Sequence, residues 1–204
     1  MKHLPAKFMG FFLFIALFLP FHACDVAKQA QQSFLLAKCD FRIRSVENVN
    51  IAGVMVQNIE SVSDLGFADM AKIMAALTSP VVPLSLQLNL EGRNPNDKPA
   101  GLNRLEWILF IDDVQMTTGI LERPFTIPAN NGIAIIPVQI GLDLKQVLTG
   151  KSAEAILRFV LNLAGAGGEP TRFKIKLKPS ILIGGSPIAY PGYITVKTAY
   201  GNNL

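Results

Sequence analysis

The chain has 204 residues, 50% hydrophobic and 17% charged, a composition that excludes wholesale disorder and allows one good-sized domain with an appendage. Its formal charge of +4 falls to +2 once Lys2 and Lys7 of the N-terminal stretch are set aside, too little to argue for nucleic acid. The only histidines are His3 and His22, so the chain beyond them lacks the imidazole that Ser-His-Asp triads, Cys-His dyads and His-based metal sites require.

Lys2 and Lys7 precede a nearly continuous apolar run, Phe8 to Phe21, which holds six of the 13 Phe. A comfortable bilayer span takes about 20 apolar residues; this run is shorter and suits a secretory signal. It ends in Phe21-His22-Ala23-Cys24, which resembles a bacterial lipobox, although Phe21 stands where Leu is usual and His22 is bulky. The pattern predicts a signal peptide over 1–23, cleavage before Cys24 and lipid on that cysteine. An uncleaved signal anchor and ordinary cleavage nearby are the alternatives. Acyl chains hold a protein to a membrane at about 0.8 kcal/mol per buried CH₂. With Cys24 lipidated, Cys39 has no partner for a disulfide and reads as a half-buried small apolar residue. Residues 24–39, Gln-rich at Gln29, Gln31 and Gln32, read as the lipidated N-terminus and a tether.

The body, 40–204, reads as strands with two inserted helices. Phe41, Ile43, Val46, Val49 and Ile51 predict a first strand with an irregularity, extended by Val54-Met55-Val56. A helix follows, capped by Ser63 or Asp64, with Phe67, Met70, Ile73, Met74 and Leu77 on one apolar face and Thr78-Ser79-Pro80 as its stop. The clearest strand is Pro83 to Glu91. Leu84, Leu86, Leu88 and Leu90 point to a core, and Ser85, Gln87, Asn89 and Glu91 point to water. It ends in the turn Arg93-Asn94-Pro95-Asn96. A strand from Leu102 to Ile111 is expected to be central, because Ile108 and Phe110 make its second face partly apolar. Asp112-Asp113 turns it into Val114–Leu121. Pro128 to Gly132 forms another turn, and Pro137 predicts an edge or a bulge for Ile133–Leu142. Leu144 to Leu148 gives a short helix ended by Gly150. Ser152 caps a helix over Ala153–Ala164 whose Glu154, Arg158 and Asn162 form a narrow polar stripe. Phe173–Leu177, Ile181–Ile183 and Gly192–Val196 complete roughly seven strands, spaced as in a β-sandwich.

The order of these residues resembles the water-stress and hypersensitive-response domain of the LEA type 2 proteins. An alternating strand, Leu84–Leu90, runs into Asn94-Pro95-Asn96. Trp107–Asp112 and Thr118-Gly119 follow, then Ile127-Pro128-Ala129 and Ile136-Pro137-Val138. The overlap spans about Phe41 to Tyr200 and is most specific from Leu84 to Val138. The resemblance implies an antiparallel immunoglobulin-like or fibronectin-III-like sandwich, with Asn94, Pro95, Pro128 and Pro137 as structural turn residues. It implies no catalytic site, and fold does not settle function.

The chemistry-bearing candidates are few. Asp112 and Asp113 read as a polar turn, short of the dense Asp/Asn pattern of a calcium loop. Gly165-Ala166-Gly167-Gly168 follows a helix, whereas a phosphate loop opens one, so it reads as a helix stop. Arg172, Lys174, Lys176 and Lys178 alternate with Phe173, Ile175 and Leu177, which puts four cations on one face. That face can contact anionic lipid headgroups, lipopolysaccharide or an acidic envelope protein; the competing readings are a solvated outer face or a Lys-guarded edge strand. The expectation is a non-enzymatic lipoprotein of the cell envelope, in the outer membrane, with no cofactor and no metal. A carrier of apolar ligand and an adhesin-like module pairing through a strand edge are the other two readings.

Overall fold

The structure is a computed structural model that describes residues 35–56, 64–164, 171–183 and 186–200. The predicted signal peptide, most of the tether, Cys24, Ser63 and the Gly165–Gly168 segment lie outside the described residues.

Eleven strands and three helices are present among the described residues, against the seven and two expected. The strands are β1 (Asp40–Ile51), β2 (Val54–Met55), β3 (Pro83–Asn94), β4 (Ala100–Leu102), β5 (Arg104–Ile111), β6 (Val114–Leu121), β7 (Phe125–Ile127), β8 (Gly132–Asp143), β9 (Thr171–Ile183), β10 (Ser186–Ala189) and β11 (Ile194–Tyr200). The helices are α1 (Phe67–Thr78), α2 (Leu144–Val147) and α3 (Ala153–Ala164). The first sheet has the order β2-β1-β3-β8. The second has the order β10-β9-β5-β6, with β11 also on β9; β4 and β7 form a separate ribbon. Every pairing is antiparallel.

The inner faces of both sheets feed one core. Leu84, Leu86, Leu88 and Leu90 of β3 are at most 1% exposed. Across from them lie Leu105, Trp107, Leu109 and Ile111 of β5 and Phe173, Ile175 and Leu177 of β9, all in the same cluster. Each such side chain contributes roughly 1.5–3 kcal/mol relative to exposure. The sheets also meet at their margins, β1 against β11 and β6 against β8. The expected antiparallel sandwich is therefore what the chain forms.

Local chemistry explains most of the boundaries. Asp112 and Asp113 both have positive φ, 47° and 64°, the twist a two-residue hairpin needs, and they join β5 to β6 through the pair Ile111↔Val114. The irregularity expected in β1 is real. Register shifts fall between Ile43 and Ser45 and between Glu47 and Asn50, and Asn48 has φ 54°. Pro137 sits where expected, on an edge, since β8 pairs with β3 alone. In α3, Ser152 Oγ accepts from the Ala155 N–H at 3.2 Å, as a cap should.

Other expectations need correction. Leu102–Ile111 is two strands, because Asn103 breaks it and sends β4 to pair with β7. The N-cap of α1 is Gly66, with no side-chain cap bond, so Asp64 does not cap it. Ile73 and Leu77 of α1 are buried in the same cluster as Ile156, Val160 and Leu163 of α3, and the two helices touch. Phe67 is 92% exposed and Met74 47%, while Met70 is half-buried, so the expected apolar face is only partly covered. Among the described residues α1 packs mainly on β2 and α3, and its apolar face is wider than what they cover. Along α3, Arg158 is exposed but Asn162 is half-buried. Phe173–Leu177 and Ile181–Ile183 are one 13-residue strand. It continues through Pro179 because its neighbour changes there: β11 pairs up to Leu177 and β10 begins at Ser180.

Candidate functional site

The cationic row is where the alternation places it. Phe173, Ile175 and Leu177 are buried, while Arg172 is exposed and Lys174, Lys176 and Lys178 are partly exposed on the outer face of the second sheet. The strand is not an edge, however. β9 lies between β5 on one side and β10 and β11 on the other, so guarding an edge does not explain its lysines. The β11 register adds a fifth cation, since Lys197 stands opposite Lys174.

Two of these cations are paired. Arg172 Nε lies 3.4 Å from Asp112 Oδ1, and Lys174 Nζ lies 2.7 Å from Asp113 Oδ1. The hydrogen bond and charge of Lys174, with Arg172 and Lys197 nearby, hold the Asp113 carboxyl below its ordinary range. Aromatic rings take up the row. Lys174 and Lys176 lie 4.5 and 5.4 Å from the centroid of Phe110, and Lys178 lies 5.8 Å from that of Tyr193. The Asp112-Asp113 turn thus serves as the anchor of two cations at one end of the row.

The outer face of the first sheet holds a polar ladder that sequence reasoning missed. Asn89 and Glu91, expected in water, are 8% and 4% exposed. Glu91 Oε2 accepts from Arg42 Nη2 and Arg44 Nη1, each at 2.9 Å. The Arg42 bond first, then Arg44, holds the Glu91 carboxyl below its ordinary range. Asn89 donates to Ser45 Oγ at 3.0 Å and accepts from Gln87 Nε2 at 2.8 Å; Gln139 donates in turn to Gln87. Long arginine and glutamine stems cover these groups while their hydrogen-bonding capacity stays filled. The only available signal was the cluster of Arg42, Arg44 and Ser45 in β1, the strand that pairs with β3.

Asn94 and its turn are structural. Asn94 is fully buried. Its Nδ2 donates to Lys98 O at 2.9 Å and Ile127 O at 3.1 Å. Its Oδ1 accepts from Asn96 N at 3.1 Å and Asn96 Nδ2 at 2.6 Å. Asn96 Nδ2 also reaches Leu35 O at 3.0 Å. Pro95 lies within this turn. Pro128 belongs to the facing turn, where a Cβ on Gly132 would meet Pro128 Cβ and O at 2.6 Å. The four expected turn residues therefore divide: Asn94, Pro95 and Pro128 converge on the 94–98 and 128–132 turns, and Pro137 lies on the β8 edge.

An apolar cavity of about 220 Å³ opens where the described chain begins. Leu36 and Ala37 form one wall, and Pro179, Ile181, Ile188 and Tyr190 form others. Cys39 is buried, and burial, with Asp40 beside it, pushes its thiol up to about 11, which leaves it protonated and unreactive at neutral pH. Among the described residues no group of three or more His, Cys, Asp or Glu could hold a metal ion. Among them, too, no helix is long and apolar enough to cross a membrane.

No family model and no curated protein matches the chain. Solved structures do. A crystal structure of a protein from Archaeoglobus fulgidus is similar at 15% identity and a TM-score of 0.33, over 78% of this chain and 99% of that one. A solution structure of a protein from Arabidopsis thaliana is similar at 7% identity and a TM-score of 0.36, over 81% and 80%. A solution structure of a protein described as late embryogenesis abundant is similar at 9% identity and a TM-score of 0.37, over 89% and 90%. The two-sheet architecture itself stands on the strand pairings of this chain.

Proposed function

We propose that this protein is a non-catalytic lipoprotein of the cell envelope, anchored in the outer membrane through acyl chains on Cys24, with a LEA type 2-like sandwich as a binding or stress-protective surface. The observation that carries this reading is the order along the chain: Lys2 and Lys7, the apolar run Phe8–Phe21, Ala23-Cys24, a polar tether, then a sandwich with no histidine. Contacts made by the sheet faces, rather than bond chemistry, are the means of action it supports. Intact mass spectrometry of protein extracted from native membranes tests it. A chain beginning at Cys24 and carrying acyl mass is the expected result; an unmodified chain beginning at Met1 overturns it.

A second reading, a carrier of apolar ligand, is supported by the cavity at Leu36 and Ile188. At about 220 Å³ it is smaller than the roughly 300–1,000 Å³ usual for ligand pockets. It suits a short apolar segment better than a whole lipid. Lipid retained in native mass spectra, and lost on Ile188→Trp, would favour the carrier.

A further inference from the structure

We infer that the outer face of the second sheet, centred on Lys176, Lys178 and Lys197, lies down on an anionic bilayer surface and fixes the orientation of the domain on the membrane that carries it. This rests on the anchored reading proposed above and adds to it a second, electrostatic contact with a defined footprint.

Charge is the first argument. The carboxylates that rim this face are already engaged. Asp112 pairs with Arg172, Asp113 with Lys174, and both Glu106 and Glu122 with Arg104, at 3.4 and 3.0 Å. Glu106 stands opposite Lys178 in the β5–β9 register, yet its ion pair is with Arg104. Among the described residues Lys176, Lys178 and Lys197 make no ion pair. Arg104, Arg172, Lys174, Lys176, Lys178 and Lys197 against four carboxylates leave this face with a surplus of two positive charges and with three ammonium groups outside any ion pair, which is complementary to lipid phosphates, whose anionic oxygens lie in a plane.

The second argument is the company these lysines keep. Tyr193 is 48% exposed beside Lys178, and Phe110 lies under Lys174 and Lys176. Ammonium groups held over aromatic rings form the amphipathic surface that settles at headgroup level, with rings in the interface and cations at the phosphates.

The third is reach. Leu35 stands eleven residues after Cys24, and eleven steps of no more than about 3.6 Å each span at most ~40 Å. The described chain begins near the Lys178 end of the row, because Leu36 and Ala37 share a cavity with Pro179 and Ile181, on the buried side of the same strand, and with Tyr190. The row from Arg172 to Lys178 is about 20 Å long. A tether that starts at one end of such a row can lay the whole row on the bilayer.

The test uses the full chain with vesicles of phosphatidylcholine alone or mixed in equal parts with phosphatidylglycerol. Lysine acylation rates are read peptide by peptide. The expected result is several-fold slower labelling of Lys176, Lys178 and Lys197 on the anionic vesicles only, reversed by high salt, with Lys72 and Lys151 unchanged. Equal rates on both vesicle types overturn the inference. Flotation separates it from the anchor. A chain that fails to float with phosphatidylcholine has no anchor, and the face is then read from flotation with the anionic vesicles. There, the K176E/K178E/K197E variant is expected to bind at least ten-fold more weakly, given about five-fold per lysine. Unchanged binding of that variant, with Trp107 emission as in the parent, overturns the inference, and the salt response of the parent decides should the variant misfold.

Discussion

Asn94→Asp exchanges one amide nitrogen for oxygen at a fully buried position and reverses the hydrogen-bonding sense of the turn. The two bonds donated by Nδ2, to Lys98 O and Ile127 O, are lost, while those accepted from Asn96 survive. Ile127 is 0% exposed, so water cannot replace the bond its carbonyl loses, at about 1–3 kcal/mol. Lys98 lies on an exposed turn, and its carbonyl recovers water at about 1 kcal/mol. The total is roughly 2–4 kcal/mol at neutral pH, before any cost of burying the charge. With a urea slope of about 2 kcal/mol per molar, the midpoint falls by roughly 1–2 M. Trp107 is the single tryptophan and is buried, so its fluorescence reports unfolding of the chain from Asp25 onward. The pH dependence identifies the cause. Facing two carbonyls, the introduced carboxyl has a folded pKa above its unfolded value of about 3.9. The deficit against the parent is full above the folded pKa and shrinks as pH falls through it, because the protonated acid can donate one bond. A midpoint within about 0.3 M of the parent at pH 7, or a deficit that grows on acidification, would refute the role given to Asn94.

Three further outcomes are expected. A Cβ on Gly119 would lie 2.2 Å from Trp107 Cζ2, so Gly119→Val displaces the indole, destabilises by about 1–3 kcal/mol and shifts Trp107 emission; an unchanged spectrum counts against this packing. Because Arg42 and Arg44 lower the Glu91 pKa, its contribution is present above the unfolded value of about 4.3 and is lost as pH falls through the folded one. Glu91→Gln is thus less stable than the parent at pH 7, and urea midpoints converge as pH falls below the lowered folded pKa; a gap that persists in strong acid assigns the effect to packing. Finally, in the chain from Asp25, Cys39 resists a thiol reagent at pH 8 and reacts fully in urea, whereas prompt reaction while folded would contradict its burial and raised pKa.

What could be read ahead of the fold was whatever repeats at a short period. The alternation of β3 and of β9 named the buried leucines and the cationic row, because side chains of a strand face opposite ways in turn. Ser152 and the Asp112-Asp113 pair were legible for a similar reason, since caps and turns are local chemistry. Glu91 was not. Its burial depends on Arg42 and Arg44 arriving in register from a strand nearly fifty residues away. The exposure of Phe67 and Met74 was equally out of reach, because a helix periodicity states which residues share a face and not how much of it a neighbour covers. Pro179 concealed the continuity of β9, since a proline inside a strand is ordinarily read as its end.

The amino-acid sequence by itself determined the predominance of strands, the absence of histidine after His22, the lipobox-like approach to Cys24 and the alignment of Arg172, Lys174, Lys176 and Lys178. Tertiary structure alone decided that β9 is an interior strand, that Lys197 and Tyr193 join its cations, and that Asp112 and Asp113 engage two of them. It also decided that Asn94 ties two turns together. The division has one physical cause. Periodicity and turn chemistry act over a few residues, whereas the charge balance of a sheet face is set by strand order and register, which couple residues twenty to sixty positions apart.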